Sequence, residues 1–175
     1  MASTKWVIDP MHSEVTFKVR HLMISTVTGS FKVFDGQAET EGDDFKSVRN
    51  IEFKADVKSI DTNNEQRDTH LKSADFFAAD EHPYLEFKAE SFNSSDNKLN
   101  GTLKMRGTER PIALDVDFGG TVVDGYGQTK AGLTVSGKVN RKDFGLVWSQ
   151  VTEAGSVVVS DEVKIVAEVQ FIKQA

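Results

Sequence analysis

The chain has 175 residues, of which 38% are hydrophobic and 27% charged, with a formal net charge of -6 and no cysteine. That length suffices for one domain with its own core, no apolar run approaches the roughly 20 residues of a membrane-spanning helix, and disulfides and thiolate ligands are excluded. The acidic balance lacks the basic footprint that phosphate backbones demand, so a nucleic-acid partner is not expected.

The opening MASTKWVIDP has no basic segment followed by an apolar stretch, and no secretory signal is read from it. From residue 14 onward the pattern has period two, the signature of strands whose successive side chains face opposite ways. Val15, Phe17 and Val19 alternate with Glu14, Thr16, Lys18 and Arg20. Val27, Gly29, Phe31 and Val33 form a second inward row, and Ile51, Phe53, Ala55 and Val57 a third. Thr62-Asn-Asn-Glu65 then reads as a capping box opening a short helix through about Leu71. Five further rows follow: Leu85 to Ala89, Leu99 to Met105, Ile112 to Phe118, Ala131 to Val139 and Val163 to Phe171. Turn residues separate them at Asn93–Asn97, Gly119-Gly120 and Asp124-Gly125. With no repeat or linker, residues 1–175 are expected to form one domain.

The fold class is therefore all-β. Eight one-sided strands in mostly adjacent order suit a sandwich or a barrel. The expectation is an eight-stranded antiparallel up-and-down barrel, because closure removes exposed edges, with the helix inserted between strands three and four. Gly29, Ala55, Ala89, Gly101, Ala131, Gly137 and Ala167 are small on the inward rows, which suggests an internal cavity. The alternative is that they relieve crowding at strand bends.

The chain has four histidines. His12 and His21 are an odd number of positions apart and should face opposite ways. His70 and His82 show no HxH or HExxH spacing, so no metal site is expected. His21 continues an apolar row, either as a satisfied structural histidine at a barrel rim or as a polar contact to the head of an apolar ligand. His70, within Arg67-Asp-Thr-His-Leu-Lys72, carries the same two readings, the first being a solvated helix face.

The chain resembles the YceI-like family, bacterial polyisoprenoid-binding proteins with a lipocalin-like barrel. The resemblance spans nearly the whole chain and rests on Trp6-Val-Ile-Asp-Pro-Met-His-Ser13, Phe17-Lys-Val-Arg-His21, Gly29-Ser-Phe31, Ser59-Ile-Asp-Thr62 and Arg67 through Phe77 with Pro83. It continues through Gly101-Thr-Leu103, Gly107-Thr-Glu-Arg-Pro111, Asn140 through Gly145 with Trp148, and Asp161-Glu-Val-Lys-Ile165. The resemblance implies an apolar tunnel for an isoprenoid tail, a homodimer, no enzymatic activity, and no cofactor beyond the bound lipid. Some relatives are exported and others are not; this sequence, as written, resembles the latter. That implies a cytoplasmic protein, or a periplasmic one if a cleaved signal is missing from it.

On that reading Phe17, Val19, Phe31, Phe53, Leu85, Phe87, Leu103, Leu133 and Val135 contact the tail, although each would suit an ordinary core equally. His21, Arg67, His70 and Arg141 are the candidates for the head group, since each can donate to a quinone carbonyl or a phosphate. Arg67 and Arg141 have a structural alternative, pairing with Asp68, Asp75 or Asp143. Two competing functions remain open: an enzyme acting on a small hydrophobic molecule with His21 or His70 as general base, and a scaffold whose barrel is solidly filled.

Overall fold

Alternation of inward apolar and outward polar side chains leads to one continuous antiparallel sheet in the computed structural model, which describes residues 3–22, 24–148 and 159–174. The strands among the described residues are β1 (Ser3–Ile8), β2 (Glu14–His21), β3 (Ser25–Phe31), β4 (Phe34–Glu41), β5 (Asp44–Asp56) and β6 (Ile60–Asp61). After helix α1 (Glu65–Lys72) come β7 (Tyr84–Ser91), β8 (Lys98–Met105), β9 (Thr108–Val123), β10 (Thr129–Asn140) and β11 (Val159–Lys173).

Eight of these strands close a barrel. The order is β1-β4-β5-β7-β8-β9-β10-β11, and β11 returns to β1 through Trp6 opposite Lys173 and Ile8 opposite Phe171. The eight expected strands and the eight that close the ring are not the same set. Six coincide, but β2 and β3 continue the sheet beyond β11, and β1 and β4 take their places in the closed ring.

The reason lies in two breaks. β1 and β2 both run along β11, end to end, separated by a 3-10 turn at Pro10–His12. The Asp9 carboxylate fixes that turn, accepting from Met11 N at 3.1 Å and lying 2.7 Å from His12 Nδ1. Lys130 Nζ, 3.0 Å from the same carboxylate, ties the turn to β10. β3 and β4 are likewise separated at Lys32–Val33, where Lys32 N donates to the Ser59 carbonyl and Val33 N to the Ser59 hydroxyl. Val33 was expected on an inward row; the bend turns it out, and it is 59% exposed. Val57, expected in a strand, lies instead in a 3-10 turn over Val57–Ser59, where it is still buried.

The helix begins later than the capping box suggests. Asn64 is its cap, accepting from Arg67 N at 3.0 Å, because the Thr62 hydroxyl is engaged elsewhere. The Thr62 hydroxyl donates to Asp68 and accepts from Arg67 Nε, which binds the first turn of α1 to the end of β6. No residue of α1 is fully buried. Among the described residues no helix is long and apolar enough to cross a membrane.

Candidate functional site

The barrel encloses a cavity of about 310 Å³. Its lining reaches from Val159 and Leu71 at the upper end, where β2 finishes, to Phe45, Phe118 and Phe171 at the lower end, where β1 starts. Val159 and Phe171 are twelve residues apart on β11, or about 40 Å of strand; with the usual barrel tilt this corresponds to about 30 Å of axis. The space is thus a tunnel along the barrel rather than a void between two layers.

Small side chains form little of its wall. Of the seven small inward residues only Ala167 lines the cavity. A methyl group on Gly29 would lie 2.3 Å from Phe17 Cζ, one on Gly101 2.5 Å from Phe87 Cζ, and one on Gly137 2.5 Å from Leu114 Cδ2. Each glycine is already covered by a neighbour's side chain. An eight-stranded ring is wide enough either to be filled by its side chains or to hold one small ligand, and here the inward side chains leave space.

All nine expected tail contacts lie on the wall: Phe17, Val19, Phe31, Phe53, Leu85, Phe87, Leu103, Leu133 and Val135. Phe76 and Phe77, from the segment after α1, also line it, as does Phe45 at the start of β5; none of the three lies on an expected strand row. The adjacent Phe pair after a helix was a visible signal. Phe45 stands among Asp43, Asp44 and Lys46, and its polar surroundings hid it.

The four polar candidates are placed differently. Arg141 reaches the lining and is only 3% exposed, but its donors are committed. Nε donates to the Ser160 carbonyl at 2.9 Å, and Nη1 to those of Leu146 at 2.6 Å and Trp148 at 2.7 Å. Burial pushes its guanidinium pKa down, and the nearby Asp161 carboxylate opposes this. Of its expected carboxylate partners, Asp143 is replaced by Asp161 at 3.8 Å. Arg67 is partly committed, Nε donating to the Thr62 hydroxyl at 2.7 Å and Nη2 to the Thr62 carbonyl at 2.5 Å, rather than pairing with Asp68 or Asp75.

His21 and His70 remain more accessible. His21 stands at the upper end of β2, half-buried, and its ring makes no hydrogen bond or ion pair among the described residues. At the rim it keeps access to water, so the apolar row does not force a protein partner on it. It is far along β2 from His12, whose ring is held by Asp9. His70 Nε2 lies 2.8 Å from Asp75 Oδ2, and the ring meets Phe76 and Trp148 edge-on at centroid distances of 5.1 and 4.9 Å. Phe76 joins this cluster to the tunnel wall. Among the described residues no group of three or more His, Asp and Glu could hold a metal ion.

The YceI-like domain model matches residues 6–171. A UPF0312 protein of Staphylococcus epidermidis is 36% identical over 169 residues, covering 96% of this chain and 97% of its own. A UPF0312 protein of Staphylococcus aureus is equally similar, at 36% over 169 residues, with 96% and 97% covered. Among solved structures, the Campylobacter jejuni YCEI protein superposes with a TM-score of 0.76 at 30% identity, covering 89% of this chain and 90% of that one. A polyisoprenoid binding domain from Saccharophagus degradans shares the fold, with a TM-score of 0.71 at 13% identity and coverages of 97% and 98%.

Proposed function

This chain belongs to the YceI-like family, and from that premise we propose that it is a lipid-binding protein that shields an isoprenoid or similar long-chain tail from water. The observation that carries this reading is the tunnel, whose wall is mostly rings and aliphatic side chains, with Arg141 toward one end and Lys46, Ser94 and Asn97 toward the other. The polyisoprenoid-binding designation of the Saccharophagus relative points the same way.

Affinity should reside in the tail. Burying apolar carbon contributes about 0.8 kcal/mol per CH₂, hence about 3 to 4 kcal/mol for a five-carbon unit before ordering costs. A net hydrogen bond contributes about 0.5 to 1.5 kcal/mol, so polar groups at the rim set orientation more than strength. Of the four candidates, His21 keeps both ring nitrogens, His70 its Nδ1 and Arg67 its Nη1 for a head group. Arg67 and Arg141 shape the upper end by holding backbone in place. The experiment is a titration with a fluorescent long-chain polyene in detergent-free buffer. Saturation at one probe per barrel, displaced by an isoprenoid quinone, supports the proposal, and absence of saturable binding rejects it. A homodimer belongs to the same reading and is tested by light scattering.

Among the described residues the His70–Asp75 pair is the feature that favours the enzyme reading, since a carboxylate-oriented imidazole is how a general base is often arranged. Product formation from a hydrophobic ester, abolished by His70→Ala while probe binding persists, would establish it. The lipid-binding reading predicts no product.

A further inference from the structure

The tip of the β9–β10 hairpin carries an apolar surface that the barrel does not use. Val122, Val123 and Tyr126 are 66%, 68% and 93% exposed. In a chain with 27% charged residues, positions 118–129 contain a single charge, Asp124. That charge is compensated, with Lys130 Nζ 3.6 Å away.

The tip is also prebuilt. The Asp124 carboxylate accepts from Tyr126 N at 2.9 Å and Gln128 N at 3.0 Å, and Asp124 N donates to the Gln128 carbonyl at 2.9 Å. Gly127, at a φ of +78°, allows the chain to turn back. Lys130 binds Asp9 as well, so the hairpin is braced against the barrel. An exposed apolar surface held rigidly, with an aromatic ring at its apex, is the form that suits the interface of a bilayer.

Continuity with the tunnel decides the occupant. Phe118 lies on the inward row and stacks on Phe45 at 5.6 Å with ring planes 10° apart, and both line the cavity. Yet Phe118 is 45% exposed, and the lower lining includes the exposed Lys46, Ser94 and Asn97. Phe118 thus reaches both the lumen and solvent, and it stands four residues before Val122 on the same strand, so the apolar tip projects from the border of the lower end. The surrounding rim sets Asp44, Asp96 and Asp117 beside Lys46, and Asp43 is paired with Lys173 Nζ at 2.9 Å, so among the described residues it carries no basic cluster that would draw anionic lipid.

We propose that the lower end of the barrel docks on an electrically neutral lipid bilayer through the β9–β10 tip, and that lipid enters and leaves the tunnel there. This rests on the lipid-binding reading. The test is flotation of the full chain with phosphatidylcholine vesicles, combined with transfer of the fluorescent polyene from those vesicles into the protein. The double variant Val122→Asp/Tyr126→Asp is expected to float at least tenfold less and to slow transfer comparably, while binding polyene delivered from dilute ethanol as the native protein does. Native protein that binds the polyene from ethanol but neither floats nor loses transfer in the variant overturns the docking proposal alone. So does flotation confined to anionic vesicles, or a variant that changes the oligomeric state, which would make the tip a contact between copies. Failure to bind the polyene from either source rejects the lipid-binding reading itself.

Discussion

The indole Nε1 of Trp6 donates to the hydroxyl of Thr40 at 2.8 Å, and neither residue has exposed surface. Trp6 is on β1 and Thr40 on β4, two of the strands that complete the ring, so this bond lies inside the closure. The Thr40 hydroxyl in turn donates to the Gly42 carbonyl at 2.7 Å. Thr40→Val keeps the shape and leaves the indole N–H unpaired, which should cost about 1 to 3 kcal/mol. Thr40→Ser keeps the hydroxyl and should cost about 1 kcal/mol or less. Urea unfolding followed by circular dichroism measures both; equal losses would contradict the assigned role of the hydrogen bond.

Arg141 holds four carbonyls that flank residues 149–158, those of Leu146 and Trp148 on one side and of Val159 and Ser160 on the other. Lysine offers a point charge in place of a planar fork and cannot reproduce these bonds together. Arg141→Lys should therefore lose about 3 kcal/mol or more of stability. A loss below about 1 kcal/mol in the same unfolding experiment would free Arg141 for a role toward ligand.

Asp9 supplies a pH dependence. Burial alone would raise its pKa, but hydrogen bonding to His12, Lys130 and Met11 N outweighs burial and leaves the carboxyl below its ordinary value. A depressed folded-state pKa gives stability that is complete above the unfolded value and lost as pH falls through the folded one. The stability difference between the native protein and Asp9→Asn should hold from neutral pH to about pH 5 and shrink from about pH 4 downward. A gap unchanged to about pH 2 would show that the carboxylate's charge contributes nothing there.

A hollow and a filled barrel respond oppositely to added bulk. Val135 lies mid-tunnel, paired with Ala167 and Val116 on the neighbouring strands. In a packed core Val135→Trp would cost about 1 to 3 kcal/mol or more through overpacking. In the hollow described here it should cost less than about 1 kcal/mol and abolish polyene binding. Severe destabilisation would indicate that the lumen has no room.

Much of the wall was legible because period-two alternation survives on β7 to β11 and on β2. The missed strands are informative. On β4 the inward residues after Phe34 are Gly36, Ala38 and Thr40, which no hydrophobicity pattern marks. They are small because β1 supplies the bulk opposite them: Trp6 pairs with Ala38, and a methyl on Gly36 would meet Ile8 Cδ1 at 2.5 Å. That exchange of volume between strands distant in sequence cannot be seen in either strand alone. The tail contacts could be read from parity, whereas the commitment of Arg67 and Arg141 to backbone carbonyls depends on turns whose geometry only the fold defines.

The most direct measurement is mass spectrometry of the organic extract obtained when the purified protein is denatured. The account predicts a long-chain isoprenoid lipid approaching one molecule per barrel, lost from Val135→Trp prepared in the same way. Recovery of short, non-lipid solutes at that stoichiometry, from a native protein that also fails to take up isoprenoid quinone, would contradict it.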